Sequence, residues 1–199
     1  MQDWTGNKKT AFVQLGASNH TSEYRETNDY YATDPMSLKL FLDRIKKDNL
    51  FLHRNIFECA CGEGSLSETL KKQGYQVRSS DLINRGYGEV HDFLKIEKAP
   101  ETDILTNPPY KYAQQFVEHA LKIIDDGSYC IMFLKIQFLE GKQRRKLFDK
   151  YPPLYIYINS TRQTCYKNGD FSKKFSSAAC YCWFVWQKGI KTEPKIRWI

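Results

Sequence analysis

Apolar residues recur along this chain in two periods. Leu38, Phe41, Leu42 and Ile45 fall on one helical face, and Asp34-Pro35 ahead of them reads as an N-cap followed by the first helical residue, so a helix is predicted over roughly 35–48. Ala113, Phe116, Val117, Ala120, Leu121 and Ile124 repeat that spacing up to Gly127. Ser65-Leu66-Ser67-Glu68 has the spacing of a capping box and opens a helix that Gly74 would close, and a basic helix is predicted over Gly141–Lys150. Seven short runs read as strands: Asn55–Cys59, Tyr75–Ser79 closing on Asp81, a weak Gly88–Val90, Asp103–Thr106, Tyr129–Leu134, Leu154–Ile158 and Ala179–Trp186. Tyr129–Leu134 is apolar without a break, as expected of a strand covered on both faces. Strands alternating with helices predict an α/β fold, a mostly parallel sheet with helices on both sides. Residues 1–30 are polar and weakly periodic and read as a flexible arm; with no repeat or linker beyond it, 31–199 is expected to be one domain.

Composition narrows the class. With 41% hydrophobic and 15% aromatic residues among 199, there is apolar material for a core, which excludes a disordered or collagen-like chain. The net charge of +7 suggests a polyanionic partner, because clustered cations gain affinity by releasing counterions from phosphate backbones. The opening residues hold no apolar signal core and no run approaches the ~18 apolar residues of a membrane span, so no membrane association and a cytoplasmic location are expected. Cys59 and Cys61, and Cys180 and Cys182, form C-x-C pairs in apolar stretches, while no C-x-x-C spacing occurs; with Cys130 and Cys165 they are expected to be reduced thiols rather than metal ligands. His20, His53, His91 and His119 show neither metal spacing nor a triad, so no metal is expected.

In an open parallel sheet, ligands bind beyond the carboxyl ends of the strands. Glu58 through Gly64 occupies that position after the first strand of the sheet: Gly62 and Gly64 let backbone approach a ligand, and the helix from Ser65 presents its N-terminus. Asp81, at the end of the next strand, suits the two hydroxyls of a ribose. A dinucleotide fingerprint would require a third glycine where Ser67 stands, whereas S-adenosylmethionine, lacking a pyrophosphate, would not. Asp92-Phe93 after the third strand offers an acid for an adenine amino group and an aromatic face for the ring.

The most specific pattern is Asn107-Pro108-Pro109-Tyr110, directly after an apolar strand aimed at the same edge. A second Pro-Pro, Pro152-Pro153, has no such company and reads as a helix stop. An aromatic exocyclic amine is a poor nucleophile because its lone pair is delocalised into the ring. Two acceptors, the Asn107 side-chain oxygen and the Pro108 carbonyl, would hold both N–H bonds and favour a pyramidal nitrogen. Pro109 biases Pro108 to an extended shape, and Tyr110 offers a face for a base removed from its stack.

On these residues the chain resembles the S-adenosylmethionine-dependent amino methyltransferases, in particular the small stand-alone N6-adenine DNA methyltransferases of phages and prophages. The resemblance spans roughly 31–186. It implies a Rossmann-like class I methyltransferase fold, a seven-stranded sheet whose last strand, here Ala179–Trp186, runs antiparallel. It also implies that Tyr31 and Thr33 flank the cofactor's methionine end, as do Glu58, Ala60, Gly62 and Gly64 in the glycine loop. Asp81-Leu82 and Asp92-Phe93 match the ribose and adenine positions, and Asn107 belongs to both the cofactor and the catalytic sets. Asp34 replaces the first proline of the family's usual T-P-P pattern, and no separate target-recognition domain is expected, leaving the arm and Ser160–Ala178 to read sequence.

Basic residues in two places are expected to meet nucleic acid: Arg144 and Arg145 on the basic helix, and Arg162, Lys167, Lys173 and Lys174 in the aromatic-rich segment before the last strand. DNA is the expected partner and RNA the nearest alternative, with the oligomeric state, monomer or homodimer, left open. Asn-Pro-Pro-Tyr would equally serve an RNA base or a protein glutamine, because each presents a planar amine. A non-catalytic nucleic-acid-binding module on the same fold is the rival of another class, and a nicotinamide-linked oxidoreductase is a third.

Overall fold

The computed structural model describes residues 31–161, 165–167 and 179–199. In chain order the elements begin β1 (Tyr31–Thr33), α1 (Pro35–Lys47), β2 (Asn55–Glu58), α2 (Ser65–Lys72), β3 (Gln76–Asp81) and β4 (Glu89–Val90). They continue β5 (Asp103–Thr106), α3 (Ala113–Ile123), β6 (Tyr129–Lys135), α4 (Lys142–Lys150), β7 (Tyr155–Ile158), β8 (Cys165–Lys167), β9 (Tyr181–Gln187) and β10 (Lys195–Trp198), with short 3₁₀ turns at Phe93–Lys95, Tyr110–Tyr112 and Ile136–Leu139.

Asp34 caps α1 as its place before Pro35 predicts: its Oδ1 accepts the Met36 N–H at 2.8 Å. The predicted apolar face, Leu38, Phe41, Leu42 and Ile45, is buried. The predicted capping box does not form. Gly64 is the N-cap of α2, Ser65 is already helical and turns its hydroxyl to the Thr33 carbonyl at 3.0 Å, and Glu68 bonds Lys71 and Tyr87.

The main sheet runs β10-β7-β9-β6-β5-β2-β3-β4. All its neighbours are parallel except β9, which enters antiparallel between β6 and β7. Seven of the eight strands coincide with the seven predicted. The eighth, β10, pairs parallel with β7 at the sheet edge; with Ile196 and Trp198 both exposed it has no buried face, hence no apolar run to mark it. The small ribbon of β1 and β8, paired antiparallel with Thr33 opposite Cys165, is likewise absent from the sequence prediction.

Strand pleating divides the apolar residues between two cores. Ile56, Leu105, Ile131, Phe133, Tyr157, Trp183 and Val185 pack with α1 and α2. Their strand neighbours Phe57, Ile104, Cys130, Met132, Leu134, Ile156, Cys182, Phe184 and Trp186 pack with α3 and Leu147 of α4. Phe41 stacks on Trp183 at 4.9 Å between centroids and meets Tyr157 edge-on at 5.3 Å. Burying each such side chain contributes ~1.5–3 kcal/mol. One buried polar chain crosses the first core: the Trp183 indole N–H donates to Ser37 Oγ, which donates to Asn159 Oδ1, both at 3.2 Å, and Asn159 Nδ2 donates to the Tyr181 carbonyl. At the opposite end of the sheet, buried Asp103 accepts the N–H groups of His53 (2.6 Å) and Tyr129 (2.7 Å).

Asp34→Ala is expected to lower the unfolding free energy by about 1 kcal/mol through loss of the α1 cap, read as a shifted urea midpoint at unchanged m-value; an unmoved midpoint would show the cap to be dispensable.

Candidate active site

Adjacent strands β2 and β5 send the chain to opposite sides, β2 through α2 to β3 and β5 through α3 to β6, which makes the space above their carboxyl ends the switch point of the sheet. The register fixes what meets there. Glu58 lies opposite Ser79, and Ile56 opposite Asp103. Continued to residue 60, those offsets bring Ala60 level with Asp81 on one side and Asn107 on the other. The glycine loop, the predicted ribose acid and the Asn-Pro-Pro-Tyr segment thus emerge side by side.

The loop after β2 is held by backbone bonds. The Cys61 N–H donates to the Ser80 carbonyl at 3.0 Å, and the Gly64 N–H to the Cys61 carbonyl at 2.8 Å. Gly64 has a φ of 86°, and a Cβ there would stand 2.6 Å from the Tyr87 ring. Tyr87 in turn donates to Glu68 Oε1 at 2.6 Å and accepts from Lys71 Nζ at 2.8 Å, which clamps the 82–88 loop onto α2. Sequence reasoning missed Tyr87; the pattern Gly86-Tyr87-Gly88 was its only signal. Thr33 is fixed beside the first turn of α2 by the Ser65 bond, and α2 has no side-chain cap over its first N–H groups.

Asp81 is oriented at both oxygens: Oδ2 accepts the Gly62 N–H at 2.9 Å and Oδ1 the Ile83 N–H at 3.0 Å. Each oxygen retains a further lone pair. Leu82 beside it is exposed, at 66%. Asp92 caps its own 3₁₀ turn, Oδ1 accepting the Leu94 N–H at 3.1 Å. Phe93 departs from expectation. Its ring is buried among Phe57, Phe116 and His119 and does not offer a face to a ligand; the exposed apolar side chains here are Leu82 and Leu94.

Glu58 also lies elsewhere than a ligand contact requires. Its carboxyl is 1% exposed, beneath the loop, and accepts a hydrogen bond from Ser67, whose hydroxyl also lies 2.6 Å from Ser79 Oγ. Ser67, the residue that breaks the dinucleotide fingerprint, therefore anchors this buried acid. Burial pushes the Glu58 carboxyl up to about 8, with nearby Asp81 adding to the rise while Ser67 and Lys71 oppose it. Burial pushes up the thiols of Cys59, Cys61, Cys130 and Cys182 as well, Cys61 to about 12, so these four remain protonated and unreactive, and no metal-holding cluster occurs among the described residues.

Asn107 follows Thr106 at the end of β5, half-buried, with Oδ1 below the surface. Pro108 is buried, and Pro109 (φ −59°) accepts the Tyr112 N–H at 2.8 Å, turning the chain into α3. The Tyr110 ring lies 6.1 Å from that of Tyr181 and carries Lys135 Nζ at 5.1 Å from its centroid.

Three of the six residues expected to meet nucleic acid fall within the described chain. Arg144 donates to the carbonyls of Gln137 (2.8 Å) and Glu140 (3.0 Å), fixing the turn ahead of α4, and Arg145 pairs with Asp149 at 2.7 Å. Lys167 belongs to β8, which runs beside Tyr31, while Arg162, Lys173 and Lys174 lie outside the described residues. A groove of about 460 Å³ lies against the amino-terminal halves of β2 and β3, away from Asn107.

No family model and no curated protein matches the chain. Solved structures do. A candidate RNA methyltransferase from Pyrococcus horikoshii superposes with a TM-score of 0.60 at 13% identity over 91% of this chain and 100% of its own. A candidate class I S-adenosylmethionine-dependent methyltransferase from Listeria monocytogenes gives 0.56 at 13%, over 96% and 72%. Magnesium protoporphyrin IX methyltransferase from Synechocystis PCC 6803, solved with bound S-adenosylmethionine, gives 0.52 at 14%, over 94% and 100%. The chain has the class I methyltransferase fold. In the strand order of this class I fold, β9 is the inserted antiparallel strand and β10 an added edge strand. No helix among the described residues is long and apolar enough to cross a membrane.

Glu58 titrates near 8 when folded against an ordinary 4.5, so the folded protein holds its proton over a range where the unfolded chain has lost it. Stability is expected to fall as pH rises between those two values, by about 5 kcal/mol in all, and to level off above. Glu58→Gln should remove that slope in urea titrations at pH 5, 7 and 9; an equal slope in the variant would place the titration elsewhere.

Proposed function

We propose that this chain transfers a methyl group from S-adenosylmethionine to the exocyclic N6 amine of adenine in DNA. The observation that carries the reading is the row of Asp81, Ala60 and Asn107 on three neighbouring strand ends, with a nucleoside-binding acid on one side of the glycine loop and an amine-binding segment on the other.

The residues fit the cofactor. The first N–H groups of α2, uncapped by any side chain, suit its carboxylate. Asp81 is held with lone pairs to spare for two ribose hydroxyls, and exposed Leu82 and Leu94 offer apolar cover for the adenine, a part Phe93 does not play through its ring. Asp92 would accept from the adenine amino group, and the strand at Tyr31–Thr33 would border the methionine end.

When bound, S-adenosylmethionine supplies an electrophilic methyl group on a positive sulfonium. Asn107 and the Pro108 carbonyl would accept the two N–H bonds of the target amine and direct its lone pair along the line of transfer. They stabilise the charge that develops on nitrogen, and the extra proton leaves to water. Tyr110 would stack on the extruded base. The +7 charge favours a nucleic-acid target over a protein glutamine.

Side-by-side transfer of labelled methyl to DNA, RNA and protein tests the substrate: label confined to RNA or protein would overturn the DNA reading, and no heat on titration with S-adenosylmethionine would favour a non-catalytic module. Asn107→Ala is expected to keep cofactor affinity within about threefold while turnover falls ~10²–10³-fold, whereas Asp81→Ala should weaken cofactor binding first; full turnover in Asn107→Ala would refute the assigned mechanism. Among the described residues no folded unit stands beyond the sheet, its helices and the β1–β8 ribbon, so mapping methylation on randomised duplexes should return a brief or relaxed sequence, and a long unique one would contradict this.

A further inference from the structure

Of the basic residues expected from sequence to face the target, Arg144 and Arg145 are bonded elsewhere, Lys167 belongs to the ribbon beside Tyr31, and Arg162, Lys173 and Lys174 lie outside the described chain, so a cation beside the Asn-Pro-Pro-Tyr segment has to be sought among other residues. Lys135 is the last residue of β6, the strand next to β5, and its partner across the ladder is Tyr181. Pleating places it on the same face as Phe133, whose ring stacks on that of Tyr181 at 5.2 Å with 12° between planes. Phe133 is buried and Lys135 exposed, so the strand ends by delivering an ammonium to the surface directly above an aromatic floor. Its Nζ lies 5.1 Å from the Tyr110 ring centre, and among the described residues no carboxylate lies within ion-pair distance of it.

We infer that Lys135 is the phosphate-gripping residue of the target site, and that it selects a nucleotide over an uncharged amide. The inference rests on the methyl-transfer reading of the Asn107 site. Half-buried Tyr110, backed by buried Tyr181, supplies a ring that any flat amine-bearing group could use; the cation at its rim adds a preference for a group that carries its own negative charge. In a nucleic acid that charge lies on the phosphates flanking the target base, one sugar away from the ring. The cation–π contact with Tyr110 is weak and the lysine tip flexible, so an entering base displaces the ammonium from the ring face without driving it from the site.

The test uses the full chain and an oligonucleotide whose modified adenine has been mapped. Lys135→Gln should raise KM for the oligonucleotide roughly tenfold and reduce the slope of log affinity against log salt by about 1. Its kcat at saturation and its S-adenosylmethionine affinity by calorimetry should stay within about twofold, and Lys135→Arg should restore KM. Replacing single flanking phosphates by neutral methylphosphonate should locate one position where the wild type loses the same factor and Lys135→Gln loses nothing more. Additive losses at every position, an unchanged KM, or a fall in kcat alone would each overturn the assignment. A wild-type protein that methylates no nucleic acid would instead defeat the functional reading beneath it.

Discussion

The gap above β2 and β5 governs this molecule. Two parallel strands lie hydrogen-bonded side by side, yet their chains depart in opposite directions, so no connection crosses the space beyond their ends. Backbone ladders set the height of every residue at that rim. Once Glu58 faces Ser79 and Ile56 faces Asp103, the levels of Ala60, Asp81 and Asn107 follow, although these residues lie far apart along the chain. The floor is stiff because it is apolar on both sides: Ile104 and Leu105, neighbours on β5, enter different cores, and both are fully buried.

Polar groups at the rim divide into those that face outward and those that hold the rim together. Asp81 belongs to both sets. Gly62 from the first loop and Ile83 from the second donate to its two oxygens, so one carboxylate joins the loops while keeping lone pairs toward solvent. Glu58 belongs to the second set alone. It lies under the glycine loop with Ser67 of α2 and Ser79 of β3, and its protonated state follows from burial without a cation in contact. Tyr87 performs a similar task from above, its ring on Gly64 and its hydroxyl between Glu68 and Lys71.

The ribbon of β1 and β8 ties two distant parts of the chain together. Thr33 accepts the Ser65 hydroxyl at the start of α2 and pairs through its backbone with Cys165, so the segment beside the glycine loop and the segment before β9 share one pair of strands. On the far side of Asn107, Tyr110 lies over buried Tyr181 and Phe133, an aromatic cluster with Lys135 at its edge. The rim thus changes character across the sheet, from acidic and glycine-rich at β2 and β3 to aromatic and basic at β6 and β9.

The elements themselves were legible in the chain, because burial on one face of a helix or on alternate faces of a strand leaves a local period that needs no partner to be read. That holds for α1 and α3, for the six predicted strands with a buried face, and for the turns at Gly62-Gly64 and Asn107–Tyr110, whose residue types are dictated by backbone geometry; β4, exposed at both residues, left only a weak trace. Where a signal requires knowledge of the neighbour, the reading failed. Ser65 and Glu68 have capping-box spacing, yet Thr33 and Tyr87, both distant in sequence, take their side chains. Phe93 follows an acid at a strand end as a ligand-facing ring would, but Phe57 and Phe116 draw it into the core. Glu58 and Asp81 are both acids at the ends of parallel strands; only packing decides that serines roof one while the other stands at the opening. Sequence determines which residues can be buried and how the backbone may turn; the tertiary structure decides which of several eligible groups meet, since hydrogen bonds and ring contacts depend on distances that only the assembled sheet sets.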